Sequence, residues 1–293
     1  MARPIKIVPH FMRLHEWIAL DEGLFAAEGL APEILADDMH QISSHGADVY
    51  FERPQDRPFR ASDKVCSSAC EWAVPMNAGA GMGKAVLDVY GVARFALFVA
   101  PGSKITRLAQ LRNVPVGIGL MAGSHFSFLE TMERVMPRGC IRPENIGGPG
   151  RRLRALLDGE IAAANLLDPE IAMADELGLR KIAAGEFRTL FWVAATLEPD
   201  AAAAYFRAMR QAQAALEAAP ERYMRLWERN IPPILHDRSY DLNRFGLGEV
   251  LQFEPYVQED YERTLALARR WNLDRNLRAG ADRLENVGLH VTL

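Results

Sequence analysis

The feature that most constrains this chain is an alternation. From residue 5 to residue 195, short apolar runs trade places with stretches whose apolar residues recur at helical spacing. Apolar runs of roughly four to eight residues read as buried strands, and a period near 3.6 reads as an amphipathic helix. Strands taken in turn with helices select a mostly parallel sheet with helices on both faces. The expected strands are 5–9, 32–35, 64–68, 114–120, 161–167, 181–184 and 189–195. The first expected helix spans 14–28, with Leu14, Trp17, Ile18, Leu24 and Phe25 on one face and Gly29 as its stop. Further helices are expected at 71–78, 124–135, 151–158 and 169–177, the last with Pro169 in its first turn. The run 86–100 is apolar but for Arg94 and reads as one or two strands crossing between halves of the molecule. Residues 37–60 are polar and without period, a loop with one short extended piece at 49–52. Beyond Asp200 the character turns helical, over 201–219, 221–230 and 253–271.

The length of 293 residues exceeds the roughly 100–200 of one domain, which leaves one large α/β unit or two interleaved lobes. A net charge of −4 with scattered basic residues excludes a nucleic-acid face. Even the densest basic cluster, Arg151, Arg152 and Arg154, has no interleaved aromatics. Cys66, Cys70 and Cys140 cannot all pair and match no zinc or disulfide framework, so a reducing compartment is expected. The N-terminus passes straight into a strand-like run with no apolar leader segment. A cytoplasmic location is therefore expected, or a periplasmic one if a leader has been removed, and no membrane insertion.

Three runs then carry a resemblance. IALDEGLFAAEGLAPEIL at 18–35, FALFVAPGSKITRLAQLRNVPVGIG at 95–119 and LRALLDGEIAAANLLDPEIAMADELG at 153–178 follow in order. Together they resemble the nitrate, sulfonate and thiamine-precursor branch of the type II periplasmic-binding-protein fold. Gln110 and Ala163 stand where that branch carries aspartates. The tail around QEDYERTLALARRWNLDRNLR is similar to the closing helices of cytosolic enzymes on this scaffold, the dihydroxyphthalate decarboxylase and aromatic desulfinase type. The resemblance implies a two-lobed α/β fold with a helical C-terminal region and hinge closure over a ligand. It divides the chain into residues 1–97 with 188–293 as one lobe and 98–187 as the other. It does not fix function, because the scaffold serves both import receptors and enzymes.

Ligands in open α/β sheets sit outside the carboxyl ends of strands. The segment from His10 to His15 follows the first expected strand and so presents two imidazoles and a guanidinium. His10 is the candidate catalytic proton carrier. Arg13 can fork onto a carboxylate or sulfonate, with His15 beside it. The plainer alternative is that Arg13 and His15 cap the first helix or face solvent.

The run Cys66-Ser67-Ser68-Ala69-Cys70 is expected to open a helix, where Ser67 and Ser68 would meet an anion and Cys66 would gain nucleophilicity. Its alternative is a cysteine packed like alanine. Gly123, Ser124 and His125 form the matching turn of the other lobe, or a plain N-cap. Asn165 and Asp168 end the strand at 161–167 on the cleft side, with helix capping the alternative for Asp168. His40 and His45 read as exposed loop histidines.

Other motifs fail. The GAGMGK at 79–84 has the wrong spacing for a phosphate loop, and Gly117-Ile118-Gly119 lacks the rest of a dinucleotide fingerprint. No Gly-x-Ser-x-Gly or His-Glu-x-x-His run occurs in the sequence. No metal and no cofactor is called for. The leading expectation is a cytosolic enzyme that cleaves a C–C or C–S bond of a small aromatic carboxylate or sulfur acid. The alternatives are a solute-binding receptor for a small organic anion or pyrimidine-like solute, and, further off, a ligand-sensing protein.

Overall fold

The computed structural model describes residues 2–35, 64–274 and 277–291. The expectations for the loop at 37–60, with His40 and His45, lie outside the described residues. Strands β1 (Arg3–Ile7), β2 (Leu30–Ile34) and β3 (Val65–Cys70) pair in parallel around β1. The helical stretch between β1 and β2 is two short helices, α1 (His15–Asp21) and α2 (Leu24–Ala27), where one was expected. Gly23 stands between them at φ 70°, a left-handed turn that ends a helix without the strain a side chain would bring.

Helix α3 (Ala73–Gly79) follows β3, and then comes β4 (Lys84–Val99), a single strand of 16 residues. Next come β5 (Pro115–Ile118), α4 (Gly123–Glu133), β6 (Arg142–Asn145), α5 (Pro149–Leu157), β7 (Ala163–Leu167) and α6 (Glu170–Glu176). Strand β8 (Arg180–Val193) returns beside β4. The sequence suggested two strands here, but Gly185 to Arg188 stay in the ladder, opposite Phe95 to Val92. In the turn before β5, Gln110 accepts hydrogen bonds from the Thr106 and Arg107 amides, a capping role that a carboxylate would also fill.

The sheet runs β2-β1-β3-β8-β4-β7-β5-β6. Its flanks are parallel, and among the described strands the antiparallel ladders all involve β4 or β8. These two long strands carry the chain from the β1–β3 half to the β5–β7 half and back. Beyond them the alanine-rich α7 (Pro199–Ala218) packs on α1, with Ala201, Ala202, Ala204, Ala208 and Ala212 buried. Small side chains let the helices approach closely around Tyr205 and Phe206.

The stretch 221–230, expected as an α-helix, is wound as 3-10 turns. It is held by tertiary anchors: Trp227 donates to Gly246 O, and Asn230 donates to Arg13 O. Strand β9 (Val250–Gln252) then adds to β4 beside Tyr90–Val92. Helix α8 (Gln258–Arg270) follows, and Trp271 just beyond it donates to Glu133 of α4, tying the C-terminal region to the far half.

Candidate functional site

A narrow cleft of about 50 Å³ lies at the carboxyl ends of β1 and β3. His10, Phe11 and Met12 line it from the turn after β1, and Ser67 and Ser68 from β3. Ala122, Gly123 and Leu167 close it from the other half, and Phe187 and Trp192 from β8. The walls are mostly apolar and aromatic. Ligand pockets usually hold ~300–1,000 Å³, several times this volume.

Behind this wall sits a buried charge cluster. His10 Nδ1 lies 2.8 Å from Glu249 Oε2. Glu249 Oε1 accepts from Arg13 Nη1 at 2.8 Å and from the Thr189 hydroxyl at 2.5 Å. Arg13 also forks onto Glu16, whose Oε1 accepts from the Tyr205 hydroxyl. Arg13, Glu16 and Glu249 are each fully buried. Burial opposes the charge on Glu249, yet Arg13, His10 and Thr189 hold its carboxyl far below the usual carboxylate range. Such a pair survives in a low-dielectric interior only when further hydrogen bonds support it, as those from Thr189 and His10 do here.

The local chain is shaped to admit Glu249. Gly248 at φ 73° bridges to Arg13, and the Glu249 amide donates to Met12 O. At Gly91 of β4 an added Cβ would overlap both Glu249 Oε1 and Thr189 Oγ1, so only glycine leaves room for that carboxylate.

The structure brings His10, Ser67, Ser68 and Gly123 to the cleft. Ser68 Oγ is buried there with no hydrogen-bond partner among the described residues. Other residues singled out in the sequence are used within the fold. Arg13 is not available as an anion fork, because its guanidinium is spent on Glu16 and Glu249 and lies over the Phe191 ring. His15 is buried against Gln213, and burial pulls its pKa down to about 4.

Cys66 is not an activated nucleophile. The 66–70 run lies inside β3 and opens no helix, and burial pushes the Cys66 thiol far up. Ser124 accepts the Gly119 amide at 3.0 Å, so its hydroxyl closes its own turn. His125 accepts from the Met121 amide and, desolvated by burial, is lowered to about 4. Asn165 donates to Ser124 O and Ser127 Oγ. Asp168 is held by Arg94 at 2.8 and 2.9 Å.

Sequence reasoning missed Glu249 and Thr189. No local pattern marks them, because their partners lie far away along the chain. Among the described residues, no group of three or more His, Cys, Asp or Glu is placed to hold a metal ion, and no helix is long and apolar enough to cross a membrane.

Comparison with solved structures gives matches along almost the whole chain. The aliphatic sulphonate binding protein SsuA from Escherichia coli aligns at TM-score 0.70 and 15% identity, covering 98% of this chain and 97% of that one. The alkanesulfonate-binding protein SsuA from Xanthomonas axonopodis pv. citri, bound to MOPS, aligns at 0.67 and 13%, covering 99% and 98%. The chain carries the periplasmic-binding-protein fold. The desulfurization enzyme DszB shares that fold with it at TM-score 0.62 and 16% identity, covering 97% and 98%. A cysteine-to-serine variant of DszB was solved with biphenyl-2-sulfinic acid. No protein-family model and no curated protein matches the sequence. At these identities the periplasmic-binding-protein likeness speaks for architecture alone.

Proposed function

We propose that this chain is an enzyme that binds a small organic sulfur acid or carboxylate with an aromatic body and cleaves its C–S or C–C bond. The observation that carries this reading is His10, which lines an apolar cleft with a buried carboxylate at its back. The neighbours with bound MOPS and biphenyl-2-sulfinic acid support a sulfur acid as ligand. Phe11, Phe187 and Trp192 offer flat apolar surface for a ring. The acid group meets the Ser67 and Ser68 side of the cleft and the α4 N-terminus at Gly123.

The chemistry follows from the donor present. Protonated His10 passes its Nε2 proton to the ring carbon that bears the acid group. The electrons of the C–S bond then return to the ring as SO2 leaves, or those of the C–C bond as CO2 leaves. Hydration of SO2 to bisulfite releases a proton that restores the imidazolium. An apolar, water-poor cleft favours this step, because it desolvates the acid group and keeps the proton on its path.

The test is turnover of a panel of aryl sulfinates and aryl carboxylates, followed by sulfite and CO2 release. His10→Ala should lower kcat by roughly 10²–10⁴-fold with little change in ligand affinity. A receptor would bind such anions, release no product, and lose only modest affinity in the same variant.

A further inference from the structure

We infer that Glu249 is the positioning residue of the site: its carboxylate holds the proton on His10 Nδ1, so that Nε2 is the ring nitrogen that exchanges protons in the cleft. The inference rests on the reading of His10 as the proton carrier and adds the group that sets which atom does the carrying.

The geometry leaves little freedom. Glu249 Oε1 is taken by two donors, the Arg13 guanidinium and the Thr189 hydroxyl. Only Oε2 faces the imidazole, at 2.8 Å from Nδ1. An ionised carboxylate can only accept, so the contact is a hydrogen bond only if Nδ1 carries the hydrogen. Nε2 has no hydrogen-bond partner among the described residues, and His10 lines the cleft. The ring thus keeps one proton fixed on its buried side while the other nitrogen gains and loses one on its open side.

The surrounding charges support this arrangement. Arg13 and Glu16 are the other charged groups of the cluster, and Tyr205, Cys66 and His15 are the titratable groups packed against it. Arg13 keeps Glu249 ionised, and Glu16 with Tyr205 fixes Arg13 from the opposite side. Glu249 itself enters on a strand-like bridge from the C-terminal third, at a spot cleared by Gly91. A carboxylate buried this deeply, with three donors fixed on its two oxygens, presents one oxygen to the imidazole in a set direction.

Nitrogen-15 spectra of the imidazoles in the full-length protein test the assignment directly. In wild type the neutral His10 ring should carry its proton on Nδ1. In Glu249→Gln, Arg13 and Thr189 keep the amide oxygen on their side, which turns the amide NH2 towards His10. Nδ1 must then accept, and the proton should move to Nε2. The same variant should lower kcat by roughly 10²-fold or more while KM changes little, and Glu249→Asp should recover part of it.

A neutral wild-type ring with its proton on Nε2 overturns the assignment, as does an unchanged tautomer in Glu249→Gln. The wild-type spectrum alone decides the first point, so a variant that fails to fold leaves the test intact. If no acid is turned over and the proton is nevertheless on Nδ1, the enzyme reading falls and the positioning by Glu249 stands.

Discussion

Arg13 and Glu249 lie 236 positions apart in the chain, yet Nη1 of one donates to Oε1 of the other at 2.8 Å with both side chains fully buried. This contact fastens the C-terminal third to the turn that follows the first strand. It also makes Arg13 a structural cation, where the sequence suggested a ligand anchor.

Replacing Arg13 by alanine should therefore show in stability. The change strands Glu16 and Glu249 as buried charges without their partner, a loss of about 3–5 kcal/mol. Urea unfolding should show a large drop in midpoint. A variant of unchanged midpoint that binds its ligand ten- to a hundredfold more weakly, the effect of about 1.5–3 kcal/mol expected of a lost charged contact, would return Arg13 to the cleft.

Gly91→Ala probes the same cluster from β4. The new methyl would overlap Glu249 Oε1 and Thr189 Oγ1, so the carboxylate or the Thr189 hydroxyl must move from its place in the cluster. Overpacking of this kind costs about 1–3 kcal/mol, and the His10 resonances should move with it. Gly102→Ala serves as the control, since nothing lies within 4 Å of its added Cβ. A Gly91→Ala protein as stable as the control would show that the cluster has room to spare.

The strands were legible in the sequence because buried strands write themselves as apolar runs, and β1, β5 and β7 fall close to where those runs stand. Period alone could not show that Gly23 would turn left-handed inside a helical pattern. Nor could it show that the small residues of Cys66–Cys70 would extend β3, since serine and cysteine suit either a strand or a helix start. Polar Glu186 and Arg188 made β8 look like two strands; they stay in the ladder because β4 pairs with them throughout. Half of the His10 dyad was readable, as a histidine just past a strand. The other half was not, because a glutamate in a Gly-Leu-Gly-Glu turn says nothing of a partner that only tertiary folding supplies.

The buried histidines set the acid limb of stability. Desolvation lowers His15 and His125 to about 4 from their ordinary 6.5. Between those values the unfolded chain binds protons that the folded chain refuses, so stability is complete above 6.5 and falls as pH drops towards 4. The slope should be about 1.4 kcal/mol per pH unit for each proton. His125→Gln should remove one proton's share of that slope. Unfolding free energies measured from pH 4 to 7 that run parallel in variant and wild type would show His125 protonating freely in the fold.

Glu170 should act in the opposite sense. Burial raises its pKa from 4.5 to about 8, with Arg152 offsetting only part of the effect. Among the described residues neither of its carboxyl oxygens has a side-chain hydrogen-bond partner, while Arg152 gives its bonds to Gly147 O and Asn165 O. The folded chain therefore holds a proton here that the unfolded chain releases above 4.5. The stability tied to that proton is complete below 4.5 and is lost as pH climbs through about 8. Glu170→Gln keeps the shape and removes the linkage. Wild type and variant should be equally stable at pH 4, diverge through neutrality, and differ most above pH 8, with the variant the more stable. A variant that is instead the weaker of the two at pH 9 would mean that Glu170 is charged and paired with Arg152, and that burial is not what governs it.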